Sequence, residues 1–191
     1  MDFTCRRCGA PLPIAGRGRP RKFCSEACRK RQERANRLPV ELTSAPRWVR
    51  WKPIRRNDRI SKMPITTAGR PASSTDPATW STYGSARAST AGVGLGFVLG
   101  NGIGCIDLDH VLDGAGRIEP AAAALIASWP ATFTEVSPSG DGLHLWFRMT
   151  EAPGTVRTVD GVSVETYSTG RYITVTGRRW PGTPTTLATW T

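Results

Sequence analysis

No stretch of the 191-residue chain approaches the length of apolar run that crosses a bilayer. The N-terminus, MDFTCRRCG, also lacks the apolar core of a secretory signal. Both absences lead us to expect an intracellular, cytoplasmic protein whose thiols stay reduced. The five cysteines therefore speak for metal binding or plain packing before disulfides. Acids are scarce as well: 15 Asp and Glu face 26 Lys and Arg, a formal net charge of +11, which implies a polyanionic partner. Apolar residues are not scarce. At 39% they support a real core and exclude a disordered chain, and the length allows one ordinary domain with a small appendage. No internal repeat is visible.

The charge is concentrated at one end. Residues 1–38 hold 11 of the 26 Lys and Arg but only 3 of the 15 acids, which leaves +8 there and +3 on the remaining 153 residues. The same segment reads CRRC, fifteen residues, then CSEAC. Cys5 and Cys8, and Cys24 and Cys28, have the spacing of two tight knuckles that one tetrahedral Zn2+ can join. So short and polar a segment has no core in which to bury unrelated thiols. With the ligands as thiolates it would still net about +6. Two basic runs flank the cysteines, GRGRPRK at 16–22 and RKRQERANR at 29–37, the latter patterned as a short helix, and together they favour nucleic acid as the partner. In LPVELTSAP the positive charge stops and two prolines enter, so residues 39–46 read as a linker between a four-cysteine module, 1–38, and a second domain, 47–191.

The second domain alternates as strands do. WVRW at 48–51 is followed by further basic residues, Arg55, Arg56, Arg59 and Lys62. STDPATWSTYGSARA predicts a helix capped by Asp76 with Pro77 at its first position and with Trp80 and Tyr83 one turn apart for core packing. GVGLGFVLGNGIG at 92–104 is no dinucleotide fingerprint, because no helix follows. Its glycines alternate with Val93, Leu95 and Phe97, which reads as a strand with one bare face open to close approach. A strand from Ile103, a helix over 119–129 ended by Pro130, and TFTEVSPSGDGLHLWFR as two strands around a Ser/Gly turn come next. VSVETYSTGRYITVTG reads as another pair around Ser168 to Gly170. The mixture predicts an α+β domain with a largely antiparallel sheet.

Within GIGCIDLDH, strand alternation puts Asp107 and Asp109 on one face with Cys105, while Ile106 and Leu108 point into the core. Carboxylates roughly 6 to 7 Å apart on one pleated face repel each other. A hard divalent cation shared with a nucleotide phosphate resolves that repulsion. SGDGLH at 139–144 places Ser139 and Gly140 in a tight turn whose N–H groups can face a phosphate, with His144 and Trp146 on one face of the strand that leaves it. VSVETY supplies a third acid, Glu165, opposite in facing to Val162 and Val164.

KMPITTAGRPASSTDPATW, GVGLGFVL, GCIDLDH, SPSGDGLHLWF and VETYSTGRYITVTG, in this order across residues 45–178, resemble the primase-polymerases of the archaeo-eukaryotic primase superfamily. The resemblance implies a split core whose C-terminal half is like an RNA-recognition motif. It also implies Mg2+ or Mn2+ on Asp107, Asp109 and Glu165, and an incoming nucleotide held by Ser139, Gly140 and His144. Arg171 and Tyr172 match a nucleotide-facing pair, with Lys62 a further phosphate contact. Many members have Asp where Glu165 stands. The implied activity is template-dependent, two-metal nucleotidyl transfer in DNA replication, with single-stranded DNA template, primer and nucleoside triphosphates as partners. Primases of this kind often work with a helicase, and whether another chain supplies it is left open by the sequence; the setting would be a phage or mobile element. The cysteine module resembles small zinc ribbons of phage and actinobacterial proteins. Two other readings stay open, a non-catalytic replication-initiation factor and a metal-dependent nuclease. A nicking initiator is disfavoured, because the only histidines, His110 and His144, lie in separate motifs.

Overall fold

The computed structural model describes residues 4–13, 20–56 and 59–191, apart from the side chains of Ala35, Arg56 and Arg59. Residues 16–19 of the first basic run, and those two arginine side chains of the second domain, lie outside the described residues. The chain divides into two compact units, Met1–Arg37 and Leu38–Thr191.

In the first unit, helix α1 (Glu26–Ala35) starts at Ser25, whose hydroxyl accepts the Cys28 N–H at 3.2 Å and so satisfies one of the free donors of the first turn. This is the basic helix read from sequence. Its cations are partly tied down along its own surface, Arg29 by Glu33 at 2.8 Å and Lys30 by Glu26 at 3.1 Å.

The second unit is mostly sheet with few helices. It opens with α2 (Val40–Ser44), β1 (Trp48–Arg56), β2 (Arg59–Ile65), a 3₁₀ turn (Pro77–Thr79), α3 (Tyr83–Ala88) and β3 (Gly94–Val98). There follow β4 (Ile103–Leu108), α4 (Pro120–Ala127), β5 (Thr134–Val136), β6 (Leu143–Arg148), β7 (Thr155–Val159), β8 (Val162–Tyr167), β9 (Tyr172–Val175) and β10 (Ala188–Thr189). Two sheets result. One has the order β2-β1-β3-β9, all antiparallel. The other runs β10-β6-β4-β8-β7 with β5 also on β6, antiparallel except where β10 joins β6.

Three sequence expectations need correction. Residues 39–46 are not a free linker: α2 buries Leu42 completely, and the Trp48 indole N–H donates to the Leu42 carbonyl at 2.9 Å. The helix read through STDPATWSTYGSARA is two short pieces. Asp76 caps the 3₁₀ turn and a second cap at Thr82 starts α3, so Tyr83 reaches Trp48 (4.8 Å between rings) while Trp80 lies under the Arg47 guanidinium instead of in the core. The strands flanking Ser168 to Gly170 do not pair with each other, since β8 belongs to the six-stranded sheet and β9 to the four-stranded one. The true hairpin partner of β8 is β7, joined by Asp160 and Gly161, both at positive φ.

The sheets meet over an apolar cluster that includes Trp48, Phe97, Cys105, Phe133, Trp146 and Ile173. Phe97 stands edge-on to both Trp48 (5.4 Å) and Trp146 (5.9 Å), geometry worth about 0.5–1.5 kcal/mol per pair beyond area burial. The outer face of the six-stranded sheet packs a second cluster, with Ile106, Leu108, Leu143, Leu145 and Phe147 beneath Ala122 of α4. The bare glycine face of β3 is filled by rings. A Cβ on Gly94 would overlap the Trp51 indole, and one on Gly96 would come within 2.5 Å of the Tyr172 ring.

Candidate active site

Along β4 the side chains alternate between the two clusters, Ile106 and Leu108 outward and Cys105 inward, where it is fully buried. Burial raises the Cys105 thiol well above its ordinary range, so this fifth cysteine is an inert packing residue. Asp107 shares the inward face one pleat further along, beyond the aromatic seal. Antiparallel register sets His144 of β6 on one side of it and Glu165 of β8 on the other, and sets Glu135 of β5 beside His144. Glu135, His144, Asp107 and Glu165 thus form one row across four strands. His144 Nε2 lies 3.5 Å from Asp107 Oδ1, and its Nδ1 lies 3.6 Å from Glu135 Oε1.

Asp109 departs from the strand-face expectation. β4 ends at Leu108, and Asp109 lies exposed in the following turn, where His110 adopts φ 54°. It borders a separate hollow with His110, Glu119 and Asp160. Its charge still reaches the row: the Asp107 carboxyl is pushed up first by burial and further by Asp109 and Glu165, with His144 and Lys62 opposing. Asp107 Oδ1 is buried without a hydrogen-bond partner. Glu165 Oε2 accepts the Tyr167 hydroxyl at 2.7 Å and lies 3.9 Å from the Arg171 guanidinium, which covers the Tyr167 ring at 4.0 Å. Burial, together with that hydrogen bond to Glu165, lifts the Tyr167 phenol to about 12. Asp107 thus feels both other acids and keeps one buried oxygen without a partner, a donor of the kind that hard divalent cations take.

The opposite wall comes from the four-stranded sheet. Tyr172 leads β9, lays its ring on Gly96 and donates its hydroxyl to the Lys62 carbonyl of β2 at 2.5 Å, and burial lifts its phenol to about 12. Between the walls is a cavity of about 490 Å³ whose lining includes Lys62, Ser74, Asp107, His144, Arg171 and Tyr172. Five of the residues named from sequence therefore meet in one cavity, with Glu165 beside it on Arg171. Ser139 and Gly140 are not part of its lining. They form the exposed β5–β6 turn, where the Ser139 and Ser137 hydroxyls lie 2.8 Å apart and Gly140 has φ 97°. That turn also carries Asp141, paired with His110 at 2.7 Å.

Sequence reasoning missed Glu135 and Ser74. In TFTEVS the glutamate reads as an ordinary solvent-facing strand residue, yet it is fully buried. Only its pairing with His144 could have drawn notice. Ser74 reaches the cavity through a long-range bond to the Gly170 carbonyl at 2.8 Å, which no local pattern announces.

In the first unit, the sulfur atoms of Cys5, Cys8, Cys24 and Cys28 all lie within 4.8 Å of one another. Cys24 is 3.6 Å from Cys8 and 3.5 Å from Cys28. The first knuckle is closed by the Cys5 N–H on the Ala10 carbonyl at 2.7 Å and the Gly9 N–H on the Cys5 carbonyl at 2.9 Å; the second is closed by the Ser25 cap. Together the four thiols could hold a metal ion. Among the described residues no helix is long and apolar enough to cross a membrane.

Comparison with known proteins gives two findings. The family model described as bifunctional DNA primase/polymerase, N-terminal, matches residues 29–190. The DNA primase-polymerase of Nitratiruptor phage NrS-1 is 37% identical over 151 residues, 74% of this chain and 20% of that protein. The chain spans about a fifth of the length of the curated relative it matches.

Proposed function

Because the chain belongs to the bifunctional DNA primase/polymerase family, we propose that it joins nucleoside triphosphates on a single-stranded DNA template during DNA replication, by two-metal nucleotidyl transfer. The observation that carries this reading is the stranded, buried Asp107 oxygen in a row with His144 and Glu165, at a cavity that also presents Lys62 and Arg171. Asp107, Asp109 and Glu165 hold the ions. Mg2+ or Mn2+ bound there would polarise the attacking 3′-hydroxyl and neutralise the triphosphate. Arg171 and Lys62 meet the phosphates, His144 contacts them from the sheet side, and Tyr172 bounds the sugar and base. Ser139 and Gly140, outside the cavity's lining, offer the hydroxyl and N–H groups of their turn to the nucleotide only if that turn meets it from outside the cavity. The bond formed is a phosphodiester and the leaving group is pyrophosphate, so no side-chain nucleophile is required.

The two-sheet unit from residue 47 onward is assigned as the catalytic domain, with the split core of the archaeo-eukaryotic primases and an RNA-recognition-motif-like half formed by the six-stranded sheet. Residues 1–38 are assigned as a Zn2+ module that holds DNA. Tetrahedral Zn–S bonds of about 2.3 Å place sulfurs roughly 3.8 Å apart, and the separations of 3.5 and 3.6 Å support that assignment. A phage-type setting puts the protein in the host cytoplasm.

The test is primer synthesis on single-stranded template with labelled nucleotides, comparing the parent with Asp107→Ala. Products that require Asp107 support the reading. Template degradation would indicate a nuclease, and binding without either product a non-catalytic factor. For the Zn2+ module, removing residues 1–38 lowers the slope of log affinity against log salt by at least about 0.7, one phosphate contact on single strands, and impairs priming more than extension. Equal slopes and equal priming overturn its DNA role.

A further inference from the structure

Glu135 is wholly excluded from solvent and lies outside the set of acids assigned to the ions. Its Oε2 is saturated: it accepts the Thr176 N–H at 3.0 Å, the Thr176 hydroxyl at 3.1 Å and the Gly177 N–H at 2.7 Å. Its Oε1 has only the Trp146 indole N–H at 3.3 Å and His144 Nδ1 at 3.6 Å. That imidazole nitrogen is itself buried and without any hydrogen-bond partner. A carboxylate so deep is expensive unless a polar neighbour uses it. Pinning the Thr176–Gly177 segment alone would need no more than a neutral amide. Two groups gain from an acid oxygen at Oε1, the Trp146 indole N–H and His144 Nδ1, and of these only His144 reaches the cavity, its other nitrogen facing Asp107.

We infer that Glu135 is a positioning residue for His144. It takes the Nδ1–H of the imidazole, fixes the ring plane through the sheet, and so turns Nε2 toward the cavity. Which nitrogen of a histidine is presented is set by the bond the other makes. The inference rests on the proposed nucleotide role of His144 for its functional consequence, but not for its geometry.

Two readouts on the full chain test it. The first needs no variant. Long-range ¹⁵N correlation of a protein with only two histidines reports whether His144 Nδ1 carries a proton, with His110→Asn assigning the signals. A protonated Nδ1 is expected, and a proton-free Nδ1 overturns the inference. The signal should move in Glu135→Gln and stay in Thr176→Val, which loosens the same carboxylate's other anchor. The second readout is affinity for a fluorescent, non-hydrolysable deoxynucleoside triphosphate in Mg2+. Glu135→Gln is expected to weaken it about 10- to 100-fold with template binding unchanged. In a His144→Ala background the same change should add nothing. Losses that multiply in the double variant mean that Glu135 is merely a strut between strands, and overturn the inference. If His144→Ala leaves nucleotide affinity unaltered, the nucleotide role of His144 falls, and the protonation of Nδ1 alone decides the positioning claim.

Discussion

The two units of this chain hold themselves together by opposite means. In the first, Cys5 and Leu12 are the only buried apolar side chains among the described residues, and four sulfur atoms converge. In the second, two clusters of buried side chains clasp the six-stranded sheet on both faces. A segment below roughly 40 residues cannot bury enough surface to be stable unaided, whereas one near 150 can. The difference separates what a ligand supplies from what the side chains supply. We expect the first unit's fold to depend on an ion held by its four sulfurs and the second unit's fold to stand without one, which would leave its acids free to be arranged for chemistry.

The strongest way to break this contrast is to remove the ion. Chelation, or Cys24→Ser, is expected to unfold residues 1–37, since apparent Zn2+ binding energies of about 10–16 kcal/mol are folding energy in such modules. The melting transition of the second unit should be unchanged, and a common loss of amide dispersion in both units would refute the independence. Next in size is Asp107→Asn, predicted to reduce nucleotide incorporation by roughly a thousandfold or more, several kcal/mol of barrier. In metal-free buffer the variant should melt no lower than the parent, because the substitution removes a buried charge whose Oδ1 lacks a partner. A lower melting point would make Asp107 structural.

A smaller effect sharpens the role of packing. Gly96→Ala sets a methyl against the Tyr172 ring, whose hydroxyl is tethered to Lys62, and is expected to cost about 1–3 kcal/mol by overpacking and to weaken nucleotide binding. Unchanged denaturant midpoints would show that the ring yields freely. The smallest concerns the surface. Ser139 and then His110 donate to Asp141 and hold its carboxyl below the usual range, but its side chain is 40% exposed and water screens the gain. A depressed carboxyl contributes stability above its unfolded pKa and loses it as pH falls through the folded one. Asp141→Asn should therefore lower stability by no more than about 0.5 kcal/mol at pH 7, and by nothing once both forms are protonated in acid. A full kilocalorie at neutral pH would make this pair part of the unit's framework.

What was legible in the residues follows from the range over which each signal acts. Alternation is local, so Ile106, Asp107 and Leu108 on β4, and Leu143 through Phe147 on β6, could be assigned to faces before any strand was paired. Cysteine spacing is local too. Pairing is not: Ser168 to Gly170 has turn chemistry whether the flanking strands join each other or part into different sheets, and here they part. The Asp160–Gly161 dipeptide has hairpin chemistry, but TVRTV before it is exposed along its whole length and has no apolar face to mark it as a strand. Leu42 reads as linker because most of the cluster it joins, Phe97, Cys105, Phe133 and Trp146 among it, is distant in sequence. Glu135 was hidden for the same reason, since its meaning lies in His144 on the neighbouring strand.

The transverse row carries a last consequence, for what changes of length the chain can tolerate. A strand that slips by one residue exchanges its two faces. For β4, a slip would bring Ile106 or Leu108 into line with His144 and Glu165 and drive Asp107 into the apolar layer under α4. The site would not be weakened by degrees but lost whole, together with the sheet that carries it. Changes of length should therefore be tolerated only in connections that carry neither core nor site residues, such as 113–117 and 150–154, while β4, β5, β6 and β8 must keep their lengths. A misassembled molecule is silent, never half-active.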